Sequence, residues 1–420
     1  MADHTSQKQI VSQVQIVGGG LAGLSLAAAL GTAGIKTLLI DMEPEPSNTP
    51  FEEAKDNRTT ALIQNSINLL NACGAWSGCE DYATALTVMR IVNLPRGAQK
   101  YPNSTDFDSR EIENSPFGFN VPNAVLRRIL FDRLATLSSV THLTSTKMDK
   151  MEQTPDGYQL LLSNGESATA TLTVGADGKN SACRKAVGIK SMSWPYPQTA
   201  ITCYIEHSKP HQNVSTETHY PAGPFTLVPM MGKRSSIVWV EDTRLAKKYL
   251  ALDDAEFAQE LKNKINGRLG TIKLFGKRGG FPISAMLSDS FYTKDLALIA
   301  EAAHALPPIA AQGLNLSLRD VAVLAELLID QNKAGKPLND IELLKEYDRA
   351  RRFDVVSRLA AADGLNRFAS NDSAILHKVR DIGLSAVRNF SPLRHLMMKS
   401  GMTSPLGTPS LMSGKEIERS

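Results

Sequence analysis

The chain has 420 residues, of which 42% are hydrophobic and 21% charged, as in ordinary globular proteins with room for two domains. Its net charge of +3 is too small, and its lysines and arginines too dispersed, to indicate a nucleic-acid partner. The four cysteines form no Cys-x-x-Cys pair, and no run approaches the ~18 apolar residues of a membrane-spanning helix. We therefore expect a cytoplasmic protein with reduced thiols and no metal site.

The N-terminal segment has the pattern of a dinucleotide-binding βαβ unit. An apolar strand at residues 14–17 leads into Gly18, Gly20 and Gly23, with Leu21 and Ala22 opening a helix. Asp41 ends the next strand about 20 residues later, where a carboxylate can accept a hydrogen bond from a ribose hydroxyl. The first glycine permits the turn, the second lets a pyrophosphate approach, and the third allows close packing. The motif predicts a dinucleotide but does not separate NAD from FAD.

The rest of the chain predicts a second type of architecture. Residues 59–70 and 124–137 have helical spacing, residues 139–174 and 196–245 alternate as strands do, and the chain beyond residue 313 is mostly helical. We predict an α/β fold: a Rossmann-like domain built from separated segments, an inserted and mainly antiparallel β-sheet domain, and a helical C-terminus. The predicted bounds are 1–75, 102–185 and 286–375 for the first, 76–101 and 186–285 for the second, and 376–420 for the last.

A second ligand-binding pattern lies at residues 296–320. An apolar strand passes Glu301, turns through Pro307-Pro308 and reaches Gly313 at the start of a helix. Free N–H groups at a helix start favour negative charge, and small residues let a ligand approach the backbone. Two such patterns some 290 residues apart indicate one large, extended cofactor.

Three motifs together resemble one family. They are Gly18 to Gly23, the segment VGADGKNSACR (174–184) with Asp177-Gly178, and residues 296–320. In this order they resemble the class A FAD-dependent aromatic hydroxylases, the para-hydroxybenzoate hydroxylase superfamily. Further segments resemble the ubiquinone-biosynthesis hydroxylases and spread over nearly the whole chain, at residues 56–62, 117–130, 194–200, 223–230, 354–368 and 391–402.

The resemblance implies an FAD-dependent monooxygenase that takes a hydride from NAD(P)H and forms a flavin C4a-hydroperoxide with O₂. The implied reaction hydroxylates the aromatic ring of a polyprenylated phenol in ubiquinone biosynthesis. It also implies cofactor contacts: Arg58 and Arg127 against FAD, Asp177 near its pyrophosphate, Glu301 on its ribityl or ribose hydroxyls, and Pro308, Gly313, Leu314 and Asn315 facing the flavin ring, with Asp41 and Gly178 completing the site. N–H groups at residues 313–315 are expected to stabilise the negative charge of reduced flavin near N1.

Two positions depart from the family pattern. Ala300-Glu301 stands where the family has Gly-Asp, which places the carboxylate one methylene further out. Ala311 stands where the family has the first glycine of Gly-Gln-Gly. An alanine at positive φ would cost about 1 kcal/mol or more, so we expect the turn to avoid that conformation. Both departures bear on how strongly FAD binds.

Several other residues admit two interpretations. His304 is expected to position the site rather than to catalyse, and His219-Tyr220 is equally consistent with a substrate pocket and with an ordinary strand. Four arginines of one predicted helix, which we interpret as a solvated face, are Arg349, Arg351, Arg352 and Arg358. Residues 378–399 form a basic amphipathic segment that suits peripheral contact with the inner membrane; because Pro392 interrupts it, packing onto the flavin domain is favoured.

Two rival functions remain at this stage. One is a hydroxylase of a soluble phenolic acid, which a small sealed pocket with an arginine facing the ring would favour. The other is a non-catalytic flavoprotein scaffold that binds other ubiquinone-biosynthesis proteins. Purified protein that neither retains FAD nor oxidises NAD(P)H would favour the scaffold.

Overall fold

The computed structural model describes residues 9–47, 49–93, 104–308, 312–369, 383, 385–402 and 407–418. Its strands are β1 (Gln9–Val17), β2 (Thr37–Ile40), β3 (Thr59–Ile63), β4 (Thr84–Leu86), β5 (Val88–Asn93), β6 (Ser104–Asp108), β7 (Gly118–Pro122), β8 (Val140–Leu143), β9 (Met148–Thr154), β10 (Gly157–Leu162), β11 (Ser167–Gly175), β12 (Ser191–His207), β13 (Val214–Tyr220), β14 (Gly223–Met230), β15 (Arg234–Asp242), β16 (Ile272–Ser288), β17 (Tyr292–Thr293), β18 (Leu296–Leu298) and β19 (His304–Ala305). Its helices are α1 (Leu21–Thr32), α2 (Gln64–Ala72), α3 (Asn123–Ala135), α4 (Ala182–Ala186), α5 (Thr243–Ala251), α6 (Asp254–Ile265), α7 (Gln312–Lys333), α8 (Ile341–Ala369) and α9 (Ser391–Met402).

The first sheet is the predicted Rossmann-like layer. Its strand order is β17-β18-β11-β1-β2-β8, in which β18, β11, β1, β2 and β8 run parallel. Val17 pairs with Gly175, and Gly175 pairs with Leu298, so β1, β11 and β18 end side by side. The carboxyl ends of adjacent parallel strands form the crevice where open α/β sheets bind ligands. This domain of the predicted fold is confirmed.

Helix α1 is apolar on every side because it is enclosed on every side. All ten residues from Ala22 to Gly31 are buried, and the helix packs against β1, β2, α3 and α7. A helix that is hydrophobic all round belongs inside a core rather than at its surface. The small side chains of its Ala-rich sequence also let the helix approach the sheet closely, which fixes the glycine-rich turn that precedes it.

The second sheet is the predicted antiparallel insertion. Its order is β19-β16-β12-β15-β14-β13-β5-β6, with antiparallel pairing everywhere except between β13 and β5. Helices α5 and α6 cover one face, where Phe225, Trp239 and Phe257 form a buried cluster. On the opposite face the Tyr204 hydroxyl donates to the backbone oxygen of Arg58 at 3.2 Å. We call this second surface the inner face, since it meets the first domain.

Two boundaries differ from the prediction. Residues 59–70 are not one helix: Thr59–Ile63 is a strand of a small sheet ordered β3-β7-β4, and α2 begins at Gln64. The β-branched pair Thr59-Thr60 favours the strand. Strand β6 pairs with β5 in the second sheet, so the pairing puts the domain boundary after residue 108 rather than at residue 102.

The arginines of α8 do not form a solvated face, contrary to the prediction. Arg351 is 1% exposed and hydrogen-bonds to Asp320 and Asp354 at 2.7 Å each. Arg352 and Arg358 are half-buried and paired with carboxylates, which leaves Arg349 as the exposed member of the four. Buried guanidinium groups need such partners. Asp348 and Asp354 belong to α8 itself, whereas Asp320 belongs to α7, and the sequence pattern did not show that these pairs are buried.

The C-terminal helix packs on β6 of the second sheet and also on the segment after residue 108, which the prediction assigned to the flavin domain. Met398 and Leu393 of α9 join an apolar cluster with Phe107 and Phe117, and Arg394 bonds Glu111 at 2.6 Å. Residues 378–382, the beginning of the predicted amphipathic segment, lie outside the described residues. Among the helices that the structure describes, none has the length and apolarity needed to cross a membrane.

Candidate functional site

The glycine-rich turn between β1 and α1 is built by two kinds of glycine. Gly18 has φ +116°, and a Cβ there would lie 2.3 Å from the Ala176 oxygen; a Cβ on Gly23 would lie 1.9 Å from the Gly18 oxygen. These two residues are glycines because backbone passes close by. At Gly20 a Cβ would meet no described atom within 4 Å, and the residue is exposed. Space therefore remains open where the fingerprint predicts the approach of a pyrophosphate.

Gly19 has a role that the fingerprint did not predict. A Cβ at this position would lie 2.1 Å from a carboxylate oxygen of Asp41, so only glycine lets the end of β2 approach the turn. Asp41 is buried and accepts from Arg127 and from the Glu43 amide, each at 2.9 Å. The structure thus brings two predicted cofactor residues, Asp41 and Arg127, into one ion pair beside the turn.

Asp41 is held as a carboxylate. Burial pushes its pKa upward, but the His142 ring, the backbone amide two residues on and the Arg127 charge outweigh burial and hold the pKa below its usual value. The group therefore stays ionised at neutral pH and can act as a hydrogen-bond acceptor.

Asp177-Gly178 lies beside the same turn, as its place after β11 requires. Ala176 donates its N–H to the Val17 oxygen at 2.8 Å, which joins the two strand ends. One oxygen of Asp177 accepts from the Cys183 amide at 3.0 Å, while Oδ1 is buried without a hydrogen-bond partner in the described part of the chain. A buried carboxylate oxygen without a partner suits a site that a ligand or water completes.

Glu301 projects from a turn whose backbone is firmly held. The Ala300 N–H donates to Asp320 at 2.9 Å, and the Ala302 oxygen accepts from Arg184 at 2.7 Å. The Glu301 side chain itself is exposed. Ala300 has φ +54°, the left-handed conformation that explains why the family pattern has glycine there.

Arg58 faces the same space as Glu301. Its hydrogen bond to Asp56, at 2.7 Å, raises its pKa most, and the charges of Asp56 and Glu301 raise it further. The guanidinium also lies over the Phe281 ring, 4.8 Å from the centroid, and remains 47% exposed. Arg58 therefore keeps donors available beside the Glu301 turn.

The start of α7 follows the Glu301 turn in the sequence. Gly313 is exposed and a Cβ there would meet no described atom within 4 Å, while Pro308 is exposed and Leu314 half-buried. The Asn315 side chain points inward: it accepts from the Ile63 amide and donates to the Ala61 oxygen, at 3.2 and 2.8 Å. The Asn315 side chain is therefore held inside the protein, which leaves the backbone N–H for the contact with the ring that the resemblance implies. Ala311 lies outside the described residues.

Comparison with known proteins identifies the family. A family model described as an FAD binding domain matches residues 11–362. The ubiquinone hydroxylase UbiL of Rhodospirillum rubrum is 35% identical over 98% of this chain and 94% of its own length. The chain belongs to the FAD-dependent aromatic hydroxylases. The predicted family and its FAD cofactor are thereby confirmed, and NAD(P)H and O₂ are the usual co-substrates of this class.

Two further relatives agree with this assignment. The 3-demethoxyubiquinol 3-hydroxylase of Escherichia coli is 27% identical to this hydroxylase over 92% of the chain and 97% of its own length. The p-nitrophenol 4-monooxygenase of Pseudomonas putida superposes with a TM-score of 0.76 over 93% of this chain and 97% of its own, at 17% identity. That second likeness confirms the predicted fold and carries no conclusion about the substrate.

Three weaker candidates for a catalytic role, Tyr220, His219 and His304, belong to the second sheet. Tyr220 donates to the Lys264 oxygen at 3.1 Å beneath α6, on the face turned away from Arg58. His219 alternates onto the inner face, where its Nε2 lies 2.6 Å from Glu217. His304 is buried and bonds Asp320 at 2.7 Å, an acidic partner that the sequence did not reveal. Of the three, His219 alone lies on the face that could meet a substrate.

Proposed function

We propose that this hydroxylase uses FAD to hydroxylate the aromatic ring of a polyprenylated phenol in ubiquinone biosynthesis. The observation that carries the proposal is the alignment of the three motifs at one edge of the first sheet. Gly18, Ala176 and Ile299 directly follow three adjacent parallel strands, and the Ile299 amide donates to the Gly175 oxygen at 3.0 Å. One extended dinucleotide can therefore touch motifs that are distant in sequence.

The proposed cofactor contacts run along this edge. The pyrophosphate lies over Gly20 and near Asp177; Asp41 receives a ribose hydroxyl, with Arg127 beside it. At the other end Glu301 accepts from the ribityl chain. The exposed Glu301 carboxylate and the open space at Gly20 support this path.

The flavin ring is proposed to lie between Arg58 and the start of α7. Bound FAD supplies the redox and oxygen-transfer chemistry, and the protein orients the ring and excludes water. The exposed Gly313 leaves room for close approach, and the N–H groups of the first turn of α7 favour the charge of the reduced ring. Pro308 borders the same space.

The inner face of the second sheet is the proposed substrate wall. Val240, Ala200 and Ile283 form an apolar cluster there with the half-buried Val238 and Tyr196. An apolar wall beside a flavin site suits an aromatic ring that carries a hydrocarbon tail. The names of the relatives from Rhodospirillum rubrum and Escherichia coli point to the same substrate class.

Peripheral membrane contact is proposed for α9. Phe390, which precedes α9, is 59% exposed, and Leu396 is 64% exposed, one helical turn from the exposed Lys399. Exposed apolar side chains beside basic ones suit an anionic lipid surface, where a polyprenylated substrate resides. Other ubiquinone-biosynthesis proteins are further candidate partners of this surface.

Two experiments test the proposed function. Deleting the gene and identifying the accumulated quinone precursor by mass spectrometry should reveal a polyprenylated ring that lacks one hydroxyl. Unchanged ubiquinone and precursors would remove the central proposal. Purified protein should retain FAD and oxidise NAD(P)H faster when the precursor is added. Acceleration by a soluble phenolic acid instead would favour a hydroxylase of soluble phenolic acids. Protein that retains no FAD would favour the non-catalytic scaffold.

A further inference from the structure

A chain of buried charges joins the Glu301 turn to α8. Asp320 of α7 is fully buried, and its Oδ2 accepts from the Ala300 N–H at 2.9 Å and from His304 Nε2 at 2.7 Å. Its Oδ1 accepts from Arg351 Nε at 2.7 Å. Burial alone would raise the pKa of Asp320, but the charges and hydrogen bonds of His304 and Arg351 lower it. The carboxylate is therefore ionised and holds three donors in place.

The same series of buried charges continues to the start of α7, which follows the Glu301 turn in the sequence. Asp354 of α8 accepts from Arg351 at 2.7 Å and from Arg358 at 2.9 Å. Arg358 in turn donates its Nη1 to the side-chain oxygen of Gln312 at 2.7 Å. Gln312 is the first residue of α7 and precedes Gly313, so an arginine of α8 holds the helix start that faces the proposed ring position.

We infer that Arg358 is a positioning residue for the flavin ring, acting through Gln312 on the start of α7. The inference rests on the cofactor site proposed above. The Glu301 turn has further hydrogen bonds of its own: Arg184 donates to the Ala302 oxygen, and Tyr347 donates to the Leu298 oxygen at 2.8 Å. The bond from Arg358 therefore acts mainly at the ring end of the cofactor rather than at its ribityl chain.

This division predicts a specific signature. N–H groups at a helix start stabilise developing negative charge, so they bind the reduced ring, which is negative near N1, more tightly than the oxidised ring. Loosening Gln312 should therefore weaken reduced FAD more than oxidised FAD and lower the flavin midpoint potential. A merely structural loss of stability would leave the potential unchanged.

The test compares Arg358→Gln with Arg352→Gln in the purified holoenzyme. Both variants remove an arginine from α8, but Arg352 bonds Asp348 and the Asp289 oxygen, at 3.1 and 2.7 Å, on a part of the helix away from Gln312. We expect Arg358→Gln to lose about tenfold more affinity for reduced than for oxidised FAD, a fall in midpoint potential of about 30 mV. Arg352→Gln should keep the wild-type potential, and Arg358→Lys should recover part of the loss.

A second pair of variants keeps the test decisive if Arg358→Gln fails to fold. Gln312→Ala should lower the potential by the same amount, and the double variant should lower it no further, since both changes break one bond. An unchanged potential in Gln312→Ala would overturn the inference. Glu301→Ala separates the cofactor site from the role of Arg358, because it removes the acceptor proposed for the ribityl chain. If Glu301→Ala leaves FAD affinity unchanged, the proposed cofactor site is wrong. Weaker FAD binding in Glu301→Ala, together with unchanged potentials in the other variants, refutes only the role of Arg358.

Discussion

Gly20→Ala tests the proposed pyrophosphate path without disturbing the fold. Gly20 has φ −68° and ψ 172°, an extended conformation that alanine adopts, and a Cβ would meet no described atom within 4 Å. The residue is also the N-cap of α1, where alanine costs up to about 1 kcal/mol relative to glycine. Alanine also lowers the conformational entropy of the unfolded chain, which stabilises the folded protein by roughly 0.4–1 kcal/mol. The two effects offset, so the Tm of the apoprotein should change by less than about 3 °C.

FAD binding should respond very differently. If the pyrophosphate lies over Gly20, the new methyl group occupies its space, and forced overpacking costs about 1–3 kcal/mol. That cost corresponds to a rise in the FAD dissociation constant of about 5- to 150-fold. Titration of the apoprotein with FAD, followed by flavin fluorescence, measures this constant directly. The rise in Tm on adding a fixed excess of FAD should shrink accordingly, since the stabilisation grows with the logarithm of the free FAD concentration divided by its dissociation constant.

Gly23→Ala provides the matched comparison. Its Cβ would lie 1.9 Å from the Gly18 oxygen, so this variant should lose stability even without FAD. The two alanines thus separate a glycine required by packing from a glycine required by the ligand. Wild-type FAD affinity in Gly20→Ala would show that the cofactor does not pass over this turn.

Three further predictions follow from single residues. Ala300→Gly removes the strain of φ +54°, worth about 1–2 kcal/mol, against roughly 0.5–1 kcal/mol of glycine entropy, so the apoprotein Tm should rise; a lower Tm would show that the methyl group packs. Burial raises the pKa of Asp354, but Arg351 and Arg319 outweigh it and hold the pKa far below 3.8, so the ionised group stabilises the fold above about pH 4 and the contribution is lost as pH falls further. Asp354→Asn should therefore be less stable in urea at pH 7 and lose less stability on acidification, and equal slopes would contradict this. Leu396→Ser should weaken retention on anionic vesicles with an unchanged Tm, and undiminished retention would remove α9 from the membrane contact.

The parts of the fold that could be predicted are those fixed by local pattern. The βαβ unit was recognisable because apolar runs, glycines and an acid occur at set spacings within about 30 residues. The alternation of residues 139–174 was recognisable for the same reason, and β9 and β10 lie within it. Strand β3 was misassigned as helix because it spans only Thr59–Ile63 and its pairing with β7 is not encoded locally.

The sequence could place the residues that face the candidate site, but not the buried residues that hold them in position. Glu301 and Gly313 stand on the surface of the proposed crevice, where motif spacing alone could place them. The residues that hold them come from distant helices: Asp320 is 16 positions from His304, and Arg358 is 46 positions from Gln312. Charged residues at helical spacing are usually solvated, so nothing in the local pattern distinguished these buried partners.

The buried supports also explain how the chain tolerates its departure from the family pattern. An alanine at positive φ costs free energy and persists only where its surroundings determine the conformation. At Ala300 they do so: Asp320 binds its N–H, and Arg184 binds the oxygen two residues later, both through buried charged groups. Each bond joins a backbone group to a buried charged side chain, and a hydrogen bond of this kind contributes about 1.5–3 kcal/mol, enough to offset the strain of about 1–2 kcal/mol. The turn is therefore held with alanine as it would be with glycine, and the longer Glu301 side chain is free to reach a ligand from a fixed backbone.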